Sequence, residues 1–130
     1  MSNIDTARAA YDAFGRGDLA ALKEDFAEDA VWVTSDELPL GGETRGRDAI
    51  LENFAQIPNY WSSFSVEPEE FIDAGEYVVA VVRMRTKGLG SGVELDRQDA
   101  VVYRCRNDKI LRVDYYNNKE QALEAAGLSE

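Results

Sequence analysis

The sequence contains no histidine at all. Without histidine, a Ser-His or Cys-His nucleophile pair cannot form, and the most common protein ligand for a catalytic zinc ion is missing. We therefore expect no metal site. Any proton transfer is expected to depend on carboxylate, tyrosine, lysine or cysteine side chains.

Cysteine and long apolar runs are also scarce. Cys105 is the single cysteine, so no disulfide framework can form, which favours a cytoplasmic protein. No apolar run approaches the ~20 residues of a membrane span, and the first residues lack the basic and apolar regions of a signal peptide. We expect no membrane association.

Basic residues are few compared with acidic ones. The chain has 14 Lys and Arg against 25 Asp and Glu, a net charge of −11. A nucleic-acid binder needs a basic face to displace counterions from phosphates, so we expect no nucleic-acid partner. With 130 residues, 45% of them apolar, the chain is expected to form one domain over residues 1–130.

The apolar residues change their spacing along the chain. Up to Pro58 they follow helical spacing in three segments, around a short strand at 30–34. After residue 62 they alternate, with long strands predicted at 77–87, 94–106 and 109–116 and a short helix at the end. Helices followed by a strand meander predict an α+β fold, with helices on one face of an antiparallel sheet.

Both faces of the predicted sheet are apolar, so both need a cover. The helices cover one face. For the other we expect a second copy of the chain, and hence a homodimer, packed on an outer face that holds Val82, Met84, Val102 and Ile110.

Three stretches together resemble a known family. "AYDAFGRGDLAALKEDFAEDAVWV", "GGETRGRDAILENF" and "YRCRNDKILRVDYY" are similar to successive motifs of the SnoaL-like proteins, in the nuclear-transport-factor-2-like superfamily. The similarity extends over residues 4–126. It implies a cystatin-like α+β roll, a cone of three helices wrapped by a strongly curved sheet that encloses an apolar pocket.

The resemblance also limits the chemistry. The family includes steroid isomerases, polyketide cyclases and limonene epoxide hydrolases, which act on apolar small molecules without a bound cofactor, and other members only bind ligands. We therefore expect an apolar small molecule as partner and no cofactor. The connector at 32–46 would lie at the pocket rim, where Asp36 and Glu37 could contact a ligand; a solvated connector is the alternative.

Strand alternation combined with the resemblance predicts which side chains face the pocket. The predicted ligand-binding residues are Tyr11, Phe14, Trp32, Thr34, Phe54, Trp61, Val81, Val101, Tyr103 and Val113. For the periodic aromatic residues among them, a purely structural place in the core is the alternative.

Arg83 and Asp99 form the candidate catalytic pair. Counting back from a turn at 88–92 places them about one diagonal apart on the same face of adjacent strands. Asp99 would be the general base and Arg83 would stabilise negative charge. Tyr115 or Tyr103 would donate a hydrogen bond. An ion pair at the open end of the sheet is the alternative. Whether Tyr115 or Asp114 faces the pocket stays open.

Two hypotheses follow. The first is a cofactor-free isomerase, cyclase or hydrolase that acts on an apolar carbonyl or epoxide compound by carboxylate acid-base chemistry. The second is a ligand-binding or dimerisation module without enzymatic activity. The second is motivated by incomplete catalytic sets: where the steroid isomerases carry their proton-shuttling aspartate, this chain has Thr34.

Overall fold

Local signals set the ends of the helices. The structure, a computed structural model, describes residues 2–34, 42–116 and 118–127, so Asp36 and Glu37 lie outside the described residues. The elements are α1 Asn3–Gly15, α2 Leu19–Asp25, β1 Phe26–Thr34, β2 Gly42–Arg45, α3 Arg47–Ala55, α4 Ile57–Tyr60, β3 Trp61–Ala74, β4 Tyr77–Gly88, β5 Glu94–Arg106, β6 Lys109–Tyr116 and α5 Lys119–Ala125.

Helix α1 begins with a capping box. The Ser2 hydroxyl accepts a hydrogen bond from the Asp5 amide, and the Asp5 carboxylate accepts one from the Ser2 amide. Gly17, with φ of 70°, turns the chain, and Asp18 caps α2 by accepting from the Ala21 amide. Between these two signals, the apolar side of α1 packs into the core against the sheet.

The described strands form one six-stranded sheet in the order β2-β1-β6-β5-β4-β3. Strands β1 and β6 pair in parallel, and all other neighbours are antiparallel. Asn107 and Asp108 adopt positive φ angles of 54° and 63°, as a two-residue hairpin turn requires between β5 and β6. The predicted α+β class, with helices packed on a mostly antiparallel sheet, is confirmed.

The face of β4 that contacts the helices differs from the prediction. Val82 pairs with Asp99, and Ala80 pairs with Val101, so the even-numbered residues of β4 face the core. The expectation that Val81 and Arg83 face the pocket is wrong. The loop after Lys87 extends over residues 88–93 rather than 88–92, and one additional residue reverses every side chain of the strand.

Part of the outer face of the sheet is covered by the chain itself. Helix α5 places Ala122 and Ala126 on a cluster with Val79, Ala100 and Val102. The helix therefore takes the place that we had expected a second subunit to occupy over this part of the sheet.

The residues predicted for the dimer interface are all buried within one chain. Val82 and Met84 face the helices, and Val102 lies under α5. A register shift beside Cys105 turns Ile110 inward as well. The predicted interface is therefore wrong, because none of these side chains is available to a second copy. Self-association itself stays a prediction.

Within the described ranges, no helix is long and apolar enough to span a membrane.

The contact of α5 can be tested by mutation. Ala122→Glu would place a carboxylate against Val79 and Val102, and we expect it to lower the free energy of unfolding by about 1 to 3 kcal/mol. Ala125→Glu on the exposed side of the same helix is the matched control, with an expected change within about 0.5 kcal/mol. Urea denaturation measures both. Equal effects of the two variants would show that α5 does not depend on this contact.

Candidate functional site

A cleft lined by aromatic side chains lies between the helices and the inner face of the sheet. It has two parts, which we call the inner and the outer chamber, with cavity volumes of about 60 Å³ and about 70 Å³. The inner chamber is lined by Ala10, Tyr11, Phe14, Leu22, Phe26, Trp32, Phe54, Ile57, Phe64, Val66, Tyr103 and Tyr115. The outer chamber is lined by Trp32, Thr34, Ile50, Asn53, Phe54, Ile57, Trp61, Phe64, Met84 and Tyr115.

Ring contacts hold the wall between the two chambers. The Trp32 ring packs edge-on against Phe54, with centroids 5.0 Å apart, and lies 5.5 Å from the Tyr115 ring. Phe14 packs edge-on against the other side of Phe54 at 5.5 Å. Such tilted pairs are favourable arrangements of aromatic rings, so these side chains support one another around the cleft.

Most of the predicted ligand-binding residues meet in this cleft. Tyr11, Phe14 and Tyr103 line the inner chamber, Thr34 and Trp61 line the outer chamber, and Trp32 and Phe54 line both. Val101 and Val113 are fully buried core residues outside the lining, and Val81 faces away from it.

Sequence reasoning missed several wall residues, among them Phe64 and Met84. Phe64 lies on the strand that Pro68 interrupts, where the register shift near that proline hides the alternation. Met84 was predicted on the outer face of the sheet, because the predicted register of β4 was wrong by one residue. The available signal for Phe64 was its spacing to Val66 on the same side of the strand.

Two tyrosine hydroxyls meet at the wall of the inner chamber. The Tyr103 and Tyr11 oxygens are 2.5 Å apart and share a hydrogen bond. Burial raises the pKa of both phenols well above the usual value, so both are neutral at neutral pH. Each hydroxyl carries one proton, and one of these two protons lies in the hydrogen bond between the oxygens. The other proton can be donated to a ligand oxygen.

Asp99 is a buried carboxylate on the inner face of β5. Its side chain is 4% exposed, and Arg97 Nε donates to Asp99 Oδ2 at 3.1 Å. Tyr115 pairs with Val101, the next inward residue on β5, which makes it a diagonal neighbour of Asp99. Burial, reinforced by the charge of Asp99, raises the pKa of Tyr115, which therefore also remains a neutral hydrogen-bond donor.

Arg83 does not take part in this arrangement. It lies on the outer face, where it contacts Asp96 at 3.3 Å and Glu69 at 3.9 Å. The predicted pairing of Arg83 with Asp99 is wrong, and Arg97 contacts the carboxylate instead. The sequence did contain that signal, because residues two apart on a strand share a face whatever the register.

The Cys105 thiol is a further group to consider as a nucleophile. Burial raises the pKa of the Cys105 thiol to about 12, so this thiol is a poor nucleophile at neutral pH. Within the part of the chain that the structure describes, no group of three or more His, Cys, Asp and Glu residues could hold a metal ion. The polar side chains of the cleft wall include the tyrosines, Thr34 and Asn53, whereas the Asp99–Arg97 pair lies next to Tyr115, outside the lining of both chambers.

Comparison with known proteins identifies similar chains. The family model of the SnoaL-like domain matches residues 7–113. An uncharacterized protein of Mycobacterium tuberculosis (strain ATCC 25618 / H37Rv) is 28% identical over 127 residues, 95% of each chain.

Solved structures share the fold over nearly the whole length. An NTF2-like protein of unknown function from Burkholderia pseudomallei K96243 aligns with a TM-score of 0.81 and 26% identity, over 95% of this chain and 97% of that one. TerC, co-crystallized with polyporic acid, aligns with a TM-score of 0.79 and 23% identity, over 96% of this chain and 98% of that one.

Proposed function

Because this chain belongs to the SnoaL-like domain family, we propose that it binds a compact apolar small molecule in its aromatic cleft. We further propose that the tyrosine hydroxyls recognise one oxygen of that molecule. The observation that carries the proposal is the Tyr11–Tyr103 hydroxyl pair in the wall of an otherwise apolar chamber.

The walls of the cleft support an apolar and compact ligand. Aromatic and aliphatic side chains dominate both chambers, and a few polar groups among them are typical of small-molecule sites. The small volumes argue against a large polycyclic ligand. The co-crystal of TerC supports only the view that this fold can hold a small organic molecule.

The tyrosines support a carbonyl oxygen as the recognised group. Neutral phenols donate hydrogen bonds, and a carbonyl oxygen accepts them without bringing a charge into the apolar chamber. Tyr115, which lines both chambers, supplies a further donor within the cleft.

A ketone and its hydrocarbon analogue test this proposal. We expect 1-indanone to bind, and we expect Tyr103→Phe to weaken its binding by about 2- to 10-fold, the loss of one hydrogen bond. Binding of indane, which has the same rings without the oxygen, should be unchanged. Isothermal titration calorimetry measures both.

Tyr60→Phe is the matched control, because Tyr60 is exposed and lies outside both linings. An equal loss for indane and 1-indanone in Tyr103→Phe would exclude oxygen recognition by this hydroxyl. Failure of both compounds to bind the wild-type protein would reject the proposal.

Asp99 favours a second candidate function, cofactor-free acid-base catalysis on a carbonyl compound. The carboxylate is buried on the inner face next to Tyr115, which lines both chambers, while Asp99 itself is outside both linings. A buried carboxylate this close to a ligand site supports the role of a general base. Asp99 would take a proton from the carbon next to the carbonyl group, while a tyrosine hydroxyl stabilises the negative charge that develops on the oxygen. Arg97 would orient the carboxylate. Proton abstraction of this kind is a step of carbonyl isomerisation and of cyclisation.

A further inference from the structure

We propose that Thr86 and Arg97 form a polar subsite beside the outer chamber, which binds a second oxygen of the ligand. The subsite rests on the proposed binding function and extends it. The ligand class becomes an apolar body with one oxygen at each end, the first held by the tyrosines and the second by Thr86 and Arg97.

The first observation is an unpaired buried hydroxyl. Thr86 is 4% exposed, and among the described residues its Oγ1 has no hydrogen-bond partner. Burying a hydroxyl without a partner is unfavourable, and such groups are rare in folded proteins. A ligand oxygen at this position would satisfy it.

The second observation is the position of Thr86 on the sheet. It pairs with Phe64 on β3 and with Leu95 on β5, and it follows Met84 by two residues on the same face. Phe64 and Met84 both line the outer chamber. The Thr86 side chain is therefore on the inner face. It is outside the lining of the outer chamber and lines a neighbouring surface depression, with which the chamber shares Phe64.

Arg97 supplies the second donor. It pairs with Met84, which makes it a diagonal neighbour of Thr86 at roughly 7 to 8 Å between Cα atoms. Its Nε is bonded to Asp99, whereas a guanidinium carries five N–H donors in all. The side chain is 34% exposed, so it extends from the buried carboxylate toward solvent.

Charge determines what kind of oxygen fits the subsite. Asp99 already balances the charge of Arg97, and the whole chain carries −11. A further anion would be repelled by the Asp99 carboxylate and by the negative net charge of the chain. A neutral acceptor such as a carbonyl oxygen therefore fits better than a carboxylate. Thr86 Oγ1 would donate to that oxygen, and an Arg97 N–H would donate to its second lone pair.

A matched pair of compounds isolates the second oxygen. The compound 1,4-diacetylbenzene has two carbonyl groups, and 4-isopropylacetophenone replaces one of them by an isopropyl group of similar shape. We expect wild-type protein to prefer the diketone by about 2- to 10-fold, and Thr86→Val to abolish this preference. Thr86→Ser, which retains the hydroxyl, should keep it.

Thermal unfolding separates a binding role from a purely structural one. Thr86→Val should raise Tm, because it removes a buried unpaired hydroxyl, and this increase alone would also follow from a structural role. A higher Tm with an unchanged preference for the diketone would overturn the subsite. Arg97→Lys keeps a positive charge beside Asp99 but removes the guanidinium donors. It should therefore reduce the preference for the diketone without unfolding the protein.

The design also separates failure of the subsite from failure of the cleft. If wild-type protein binds both compounds equally and Tyr103→Phe weakens both, the subsite is rejected and the tyrosine site stands. If neither compound binds wild-type protein, both proposals are rejected.

Discussion

Asp99→Asn should slow proton abstraction from a bound ketone by about 100- to 10,000-fold, the usual contribution of a general base. The reaction can be measured without knowing the natural substrate, as exchange of the hydrogens next to the carbonyl group of 1-indanone for deuterium, followed by NMR. Asparagine has nearly the same shape and can still accept the hydrogen bond from Arg97, so ligand binding and folding should persist.

Asp96→Asn is the control for this experiment. Asp96 is also an acidic residue of β5 beside arginines, but it is exposed on the outer face, where it contacts Arg83 and Arg85. Its loss should leave exchange unchanged. Exchange at the wild-type rate in Asp99→Asn would exclude Asp99 as the base. Absence of exchange in the wild-type protein would favour a binding module without catalytic activity on ketones.

Phe26→Ala should cause a large loss of stability, about 3 to 5 kcal/mol in the free energy of unfolding. Phe26 is 1% exposed at the start of β1, its ring centroid lies 6.2 Å from that of Trp32, and it lines the inner chamber. Removing the ring would enlarge an existing apolar chamber. Benzene should therefore bind the variant more tightly than it binds a protein with the unchanged chamber, and restore part of the lost stability.

Leu89→Ala is the control, because Leu89 is 56% exposed at the hairpin between β4 and β5. Its expected effect is within about 0.5 kcal/mol. Urea denaturation with and without benzene measures both variants. A small loss for Phe26→Ala without any effect of benzene would mean that neighbouring side chains close the space, and that the chamber walls are not rigid.

The features that the sequence alone determined are local ones. The side chains of Ser2 and Asp18 each accept a hydrogen bond from the backbone amide three positions later, so these helix caps involve only neighbouring residues of the sequence. Asn107 and Asp108 tolerate positive φ, which is enough to predict the tight turn between β5 and β6. Because Asp99 and Tyr103 are an even number of residues apart on one strand, their common face was also predictable.

The tertiary structure decided which side chains meet across strands. The inward face of β4 depends on how many residues the loop after Lys87 contains. Because that loop is one residue longer than predicted, the partner of Asp99 is Arg97 and not Arg83. The cover of the outer sheet face likewise depends on where α5 packs, since apolar residues on that face are compatible with either a second subunit or the chain's own helix. Register and packing result from contacts between residues far apart in the chain, and periodicity within one strand carries no information about them.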